Sequence, residues 1–436
     1  MSWSRRFRIR QYLKGSIWLI PFLGGVLGAV LGALEPHLDH ALTIRESWQY
    51  SPSTATAVLS AIIAAMAALT GFVVTVAVLV VQMAIGTFSA RYMRLWYRDR
   101  MFKGVLAVLV GTLAYSFALL RSVESNFVPT IGVTIAGFLV VVGLLFFMVF
   151  LDRFLHRLRP VAVAALVGRA GRRAFEDGAR KTEASGGEPG SQRLEPSYVV
   201  PSSRAGVIQA LDEHGLVAWA TTHGRVLYLP HSVGDYVPVG AALVEVLGTT
   251  PDPAADGRRV RGMFAFGDER TIEQDPAFAL RIMVDIAIKA LSAAINDPTT
   301  AVQVLDHMTE FLRLIGSTPI VGRTRVMRDG TGAVRLVGRG RSWEDYLALG
   351  VTEVREYGAG AIQVVRRLRA VLEELQESVL PEHREAVQTE LDRLDAAAGL
   401  HFSDSVDFDR ALAPDRQGIG GSTPALTLDH ERLIRH

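Results

Sequence analysis

Cysteine is absent from all 436 residues of the chain. Its absence removes disulfides, thiolate metal sites, iron–sulfur clusters and cysteine nucleophiles from consideration. A surplus of one charge sign is also missing. Lysine and arginine number 46 against 44 acidic residues, a formal charge of +2, so bulk basicity makes no case for nucleic acid as a partner. Lysine does not occur between Lys181 and Lys289. Charge of either sign is missing from four long stretches, Ile17–Leu34, Ala55–Ile85, Gly104–Leu120 and Val128–Leu151. Mean hydropathy is nevertheless positive, +0.25, because these stretches outweigh an ordinary mixed sequence after Asp152.

A helix that crosses a bilayer needs roughly 20 mostly apolar residues. Each stretch meets that length, so four spans are expected over residues 17–152. Arg5, Arg6, Arg8, Arg10 and Lys14 precede the first stretch as in a secretory signal. That stretch, however, ends at Leu34-Glu35-Pro36-His37, which lacks the small residues of a cleavage site, and an uncleaved span is expected. Basic residues cluster before the first span, between the second and third (Arg91, Arg94, Arg98, Arg100, Lys103) and after the fourth (Arg153, Arg157, Arg159). The intervening loops, 35–54 and 121–127, carry no such excess. All three clusters fall on one side, which predicts a plasma (inner) membrane protein with both termini cytoplasmic.

Two stripes run along the spans. Gly24, Gly28 and Gly32, four residues apart, make a smooth face for close helix packing. On the second span Ala64, Ala68, Gly71, Thr75, Val78, Gln82, Gly86 and Ser89 share a face by steps of three and four. Thr75, Gln82 and Ser89 are its polar members. The stripe is either another close helix contact or a polar path through an oligomer. The span sequences contain no carboxylate or basic residue to serve a proton relay. From Ala55 to Ser89 a helix would extend roughly 50 Å, so this span is expected to project from the bilayer toward the basic, aromatic segment Arg91–Trp96.

The soluble remainder divides by composition. Residues 1–16 form the basic N-terminus. Residues 153–200 read as a juxtamembrane helix and a Gly/Pro-rich linker, and 201–250 as a β module. Residues 251–412 read as a mainly helical domain with a β-hairpin near 326–337, and 413–436 as a loose tail. In the β module, runs at Gly206–Leu211, Leu216–Thr222, Arg225–Leu229, Tyr236–Val239 and Ala242–Leu247 read as strands. Val233–Leu243 resembles the barrel-sandwich modules of lipoyl and biotinyl domains. A swinging-arm carrier requires a hairpin-tip lysine, and the lysine-free interval excludes it, so a structural or docking barrel and no cofactor are expected. His214, His223 and His231, at separations of nine and eight, do not share one face of an element, and no metal site is expected.

In the helical region Asp275, Asp285, Lys289, Asn296 and Asp297 are the candidate polar residues. Asp285 and Lys289 lie one turn apart, the spacing of an i,i+4 salt bridge or an acid–base pair. Asp297, before Pro298, suits an N-cap with proline at the first helical position, and Asn296 suits the left-handed turn that closes the preceding helix. The rival is that the five residues converge on a polar pocket.

Phe88–Arg91, Arg98-Asp99-Arg100, Arg270–Phe278 with its Gln274-Asp275-Pro276, and Leu291–Pro298 with its Ile295-Asn296-Asp297-Pro298 together resemble the bacterial membrane proteins grouped as domain of unknown function 2254. The likeness runs nearly end to end. It implies a multi-pass membrane protein and supplies no activity, ligand or catalytic residue. No zinc-binding helix pair, nucleophile elbow or phosphate loop occurs, so catalysis finds little support in the sequence.

The expected architecture is a mainly α membrane protein. A four-helix transmembrane region precedes a cytoplasmic α+β region, which holds a small barrel-sandwich-like module and a helical domain. The expected function is an oligomeric channel or transport-type protein with a cytoplasmic regulatory domain. The alternative is a membrane-anchored sensor or scaffold that binds a cytoplasmic partner or small ligand. Expected partners are the lipid bilayer and further copies of the chain.

Overall fold

The computed structural model describes residues 2–39, 49–87, 99–125, 127–157, 159–183, 196–248, 253–319 and 323–420. The chain divides into two units: Ile9–Ala162, the membrane unit, and Met1–Arg8 with Val163–His436, the α+β unit.

Helix α1 (Trp3–Gly15) leads to α2 (Leu19–Asp39), α3 (Pro52–Thr87), α4 (Arg100–Leu120) and α5 (Thr130–Arg157). Among the described residues four helices are long and apolar enough to cross a bilayer: Leu19–His37, Pro52–Leu79, Arg100–Leu120 and Thr130–Arg153. Asp99 starts α4 by accepting the Met101 amide at 2.8 Å, which satisfies one of the amides a helix start leaves open. The glycine stripe of α2 lies against α4. A Cβ on Gly24 would sit 2.6 Å from the Ala107 carbonyl oxygen, one on Gly32 2.5 Å from that of Tyr115, and one on Gly28 would overlap that of Gly111. The glycines therefore let the two backbones touch, as small residues do in lipid. Leu59, Met66 and Val73 of α3 form one core with Val105 and Leu109 of α4 and Val133 and Ala136 of α5. Phe138 and Met148 of α5 face outward, as an apolar solvent allows.

Glu35 departs from the expected outer loop. Helix α2 continues through Pro36 to Asp39, and Glu35 is only 5% exposed. Its carboxylate packs against Gly132 of α5, where no Cβ stands in the way. A carboxylate is therefore enclosed within a helix of the membrane unit.

The α+β unit continues with α6 (Pro160–Glu183), β1 (Tyr198–Pro201), β2 (Gly206–Leu211), α7 (Glu213–Thr222), β3 (Val226–Leu229), β4 (Tyr236–Val237), β5 (Ala242–Leu247), α8 (Pro253–Arg261) and β6 (Phe264–Gly267). Then follow α9 (Pro276–Ala290), α10 (Pro298–Gly316), β7 (Thr324–Arg328), β8 (Val334–Arg339), α11 (Trp343–Gly358), α12 (Ile362–Ser378), a 3-10 turn at Pro381–His383, α13 (Arg384–His401) and α14 (Ser405–Leu412).

The strands form two sheets, one of five strands in the order β1-β5-β3-β8-β7 and one of three in the order β4-β2-β6. The barrel-sandwich expectation is not met. Leu216–Thr222 lies in α7, capped by Asp212 through the Gly215 amide at 3.0 Å. Leu216, Trp219 and Ala220 are buried; their spacing is helical, and the β-forming residue types mask it. The five-stranded sheet is mixed, because β3 pairs in parallel with β8 from the distant hairpin. The hairpin itself forms, with Val326 opposite Val337. His223, the residue that caps the end of α7, stacks on Trp219, ring centroids 4.5 Å apart.

The segment expected to be a loose tail is held up to Gly420. Arg366 donates to the carbonyls of Ala413 (Nε, 3.0 Å) and Gly420 (Nη1, 2.6 Å), and Arg367 to that of Arg416 (3.1 Å). The buried Asp415 carboxylate accepts the amides of Gln417, Gly418 and Gly420.

Candidate functional site

The motif that begins at Arg270 is stitched to strand β2. Thr271 Oγ1 donates to the Gln209 carbonyl at 3.3 Å. Gln274 uses both ends of its amide on Leu211, accepting its N–H at 2.8 Å and donating to its carbonyl at 3.1 Å. This anchoring delivers Asp275 to the start of α9. There its Oδ1 accepts the Phe278 amide at 3.1 Å, with Pro276 in the first turn.

Asp275 is a buried carboxylate of the α+β unit. It is 4% exposed, and its Oδ2 accepts no hydrogen bond among the described residues. That oxygen lies over Gly234, whose φ of +97° and close approach both require glycine. Arg270 Nε is committed to the Gly234 carbonyl at 2.7 Å. Burial pushes the Asp275 carboxyl above the ordinary carboxylate range, and Asp235 adds to the effect, against the charges of Arg270 and Arg341 and the Phe278 amide. Tyr346, also buried, is raised to about 12, first by burial and then by the Asp275 charge.

The other members of the predicted cluster lie elsewhere. Asp285, one face along α9, accepts from Arg281 Nε at 2.7 Å, and Arg281 also clamps Glu353 of α11 through both its terminal nitrogens. Lys289 is half-buried in α9's last turn. Asn296 adopts φ +48°, the single positive value at a non-glycine among the described residues. Asp297 caps α10, accepting the Thr300 amide at 3.0 Å and its hydroxyl at 2.5 Å, with Pro298 following. Asp275 and Asn296 thus stand beyond opposite ends of α9, about 22 Å apart at 1.5 Å per residue. The five residues serve one helix and its neighbours and do not line one pocket. A surface depression of about 330 Å³, lined by Phe175, Arg180 and Leu314 among others, contains none of them.

In the membrane unit Thr75 donates to the Gly71 carbonyl one turn back at 2.9 Å. Ala64, Ala68, Gly71, Thr75, Val78 and Gln82 are all exposed along one side of α3. Ser89 lies outside the described residues. Glu35 was missed because its chemistry is set by burial; the available signal was that apolar residues continue past it through Pro36 and Leu38.

The family model for a predicted membrane protein, domain of unknown function 2254, matches residues 14–374. The chain belongs to this family. Its four apolar helices and the two Asp-Pro helix starts all fall within that match. Uncharacterized protein MT1328 of Mycobacterium tuberculosis (strain CDC 1551 / Oshkosh) is 30% identical over 424 residues, covering 94% of this chain and 81% of its own length. Uncharacterized protein Mb1321c of Mycobacterium bovis (strain ATCC BAA-935 / AF2122/97) matches to the same extent. No solved structure matches. The DUF2254 assignment therefore supplies a membrane protein and leaves the activity open.

Proposed function

We propose that this DUF2254 protein acts as a homo-oligomer, a channel or transport-type assembly of the plasma membrane, with both termini cytoplasmic and the α+β unit as its regulatory part. One observation carries the reading: the small and polar face of α3 from Ala64 to Gln82 is uncovered in the single chain. Elsewhere small faces are used for contact, as Gly24, Gly28 and Gly32 are against α4. Lipid gives such a face little reason to exist, whereas a second copy of α3 can approach it closely. An exposed Gln82 amide gains partners in an oligomer that hydrocarbon does not provide. At 36 residues, α3 is about 54 Å long against a hydrocarbon core of roughly 30 Å, so it extends beyond the bilayer.

The absence of cysteine makes the test clean. Single cysteines at Ala68 or Thr75 should cross-link copies in the membrane, and one at the buried Leu59 should not. Planar-bilayer recordings of the purified protein, with Gln82→Leu alongside, then separate a pore from a packing contact. Cross-linking without conductance would leave an oligomeric scaffold.

The sensor or scaffold reading rests on Asp275, a buried carboxylate with one oxygen unused in the α+β unit. Small-molecule thermal-shift screening of the full chain against its Asp275→Asn variant tests it.

A further inference from the structure

The first turns of α1 belong to the α+β unit and dock on the end of α8. The Ser4 amide donates to the Gly262 carbonyl at 3.0 Å, and Ser2 Cβ lies 3.4 Å from where a Cβ on Gly262 would stand. This contact gathers arginines that are far apart in sequence. Arg5 and Arg8 on α1 and Arg258 and Arg259 on the last turn of α8 are exposed. Arg204 comes close enough to Arg8 for the two like charges to repel, and its guanidinium is held over the Phe266 ring, 5.3 Å from the centroid. Asp268 is the acid that faces Arg204, and Asp256 lies three residues before Arg259 on α8, one turn away. On the same two turns of α1, Trp3 and Phe7 stack with centroids 5.3 Å apart and remain half-exposed.

Five arginines against Asp256 and Asp268 leave this group of side chains net positive, which favours a bound anion. A mixed surface of arginines and a half-exposed tryptophan is chemistry suited to the headgroup zone, where the indole sits at the interface and guanidinium groups pair with phosphates. The chain also limits how far this surface can lie from the first span along the sequence. Arg8 is joined to Leu19, where the first apolar span begins, by at most about 25 Å of helix and connecting chain.

We propose that Arg5, Arg8, Arg204, Arg258 and Arg259, with Trp3, form a binding surface for the phosphates of anionic lipid headgroups, through which the α+β unit is held to the bilayer. The arginines act as charge-assisted hydrogen-bond donors, and the surface is complete only when α1 is docked on α8. Loss of the lipid charge would therefore loosen α1 from the α+β unit.

The test uses the full chain in a neutral detergent, with phosphatidylglycerol, phosphatidylcholine or inorganic phosphate added at equal phosphate concentration. Phosphatidylglycerol should raise the melting temperature, and phosphatidylcholine and inorganic phosphate should not. About 0.5 M salt should reduce the shift through screening. The variant Arg8→Gln/Arg204→Gln/Arg258→Gln/Arg259→Gln should lose apparent affinity for phosphatidylglycerol by roughly fivefold per arginine removed, and the corresponding fourfold lysine variant should retain most of it. Equal shifts in the wild type and the glutamine variant would overturn the proposal, as would an equal shift from inorganic phosphate. If the glutamine variant does not fold, hydrogen exchange on the wild type in phosphatidylglycerol versus phosphatidylcholine nanodiscs decides. Protection at residues 2–8 and 256–262 is expected, and none there would overturn the proposal.

Discussion

Asp275 and Asp297 cap successive helices with the same chemistry in opposite environments. Each precedes a proline and accepts the amide three residues on, Phe278 at 3.1 Å and Thr300 at 3.0 Å. Asp275 is buried with one oxygen unused, whereas Asp297 is half-buried and uses its second oxygen on the Thr300 hydroxyl. The same local motif is thus a satisfied cap in one place and a strained charge in the other.

For Asp297 the cap predicts that serine retains nearly full stability and alanine loses about 1 kcal/mol. Thermal or denaturant unfolding of the full chain measures both. An unchanged midpoint for Asp297→Ala would show that the hydrogen bonds to Thr300 contribute nothing.

For Asp275 the expectation is a pH dependence. Its carboxyl is raised in the folded protein, chiefly by burial, above an unfolded value of about 3.9. The stability tied to its proton is therefore fully present below the unfolded value and is lost as pH rises through the folded value. Asparagine caps as well as aspartate and carries no charge. Asp275→Asn should gain stability relative to wild type as pH rises from acid to neutral, and the two unfolding curves should converge at low pH. A difference that does not change with pH would mean that the buried charge is compensated.

At the contact between α2 and α4, Gly28→Ala should destabilise the membrane unit by roughly 1–3 kcal/mol, because the added methyl meets the Gly111 backbone. Gly137 on α5 has open space at its Cβ position, so Gly137→Ala is the matched control and should be neutral or slightly stabilising. Unfolding in detergent reports both, and equal effects would contradict the close approach.

The proposed orientation predicts that reporter fusions after Asp39, Asp99, Ser125 and His436 read outside, inside, outside and inside in turn. An external signal from the His436 fusion would reverse the side assigned to the α+β unit.

Properties that depend on neighbours a few residues away were legible in the sequence. The four apolar helices are a matter of charge-free length. The left-handed Asn296, the Asp297 cap on Thr300 and the proline after it follow from preferences and hydrogen bonds within a few residues of the turn. The glycine stripe of α2 follows from four-residue spacing, although the sequence did not name Ala107, Gly111 and Tyr115 as its partners. Everything that required distant segments to meet was decided by the tertiary structure. Strand β3 pairs with β8 across more than a hundred residues, so the turn pattern that resembled a closed barrel was completed by strands outside it. The alternation of β-forming residues at Leu216–Thr222 yielded to a helix because Leu216, Trp219 and Ala220 could be buried together against the sheet. Glu35 became an enclosed carboxylate, and the Ala413–Gly420 segment an ordered one, only through Gly132 in the first case and Arg366 and Arg367 in the second. Hydrophobic length and capping are local free energies, whereas burial of a charge depends on which surfaces the folded chain brings around it.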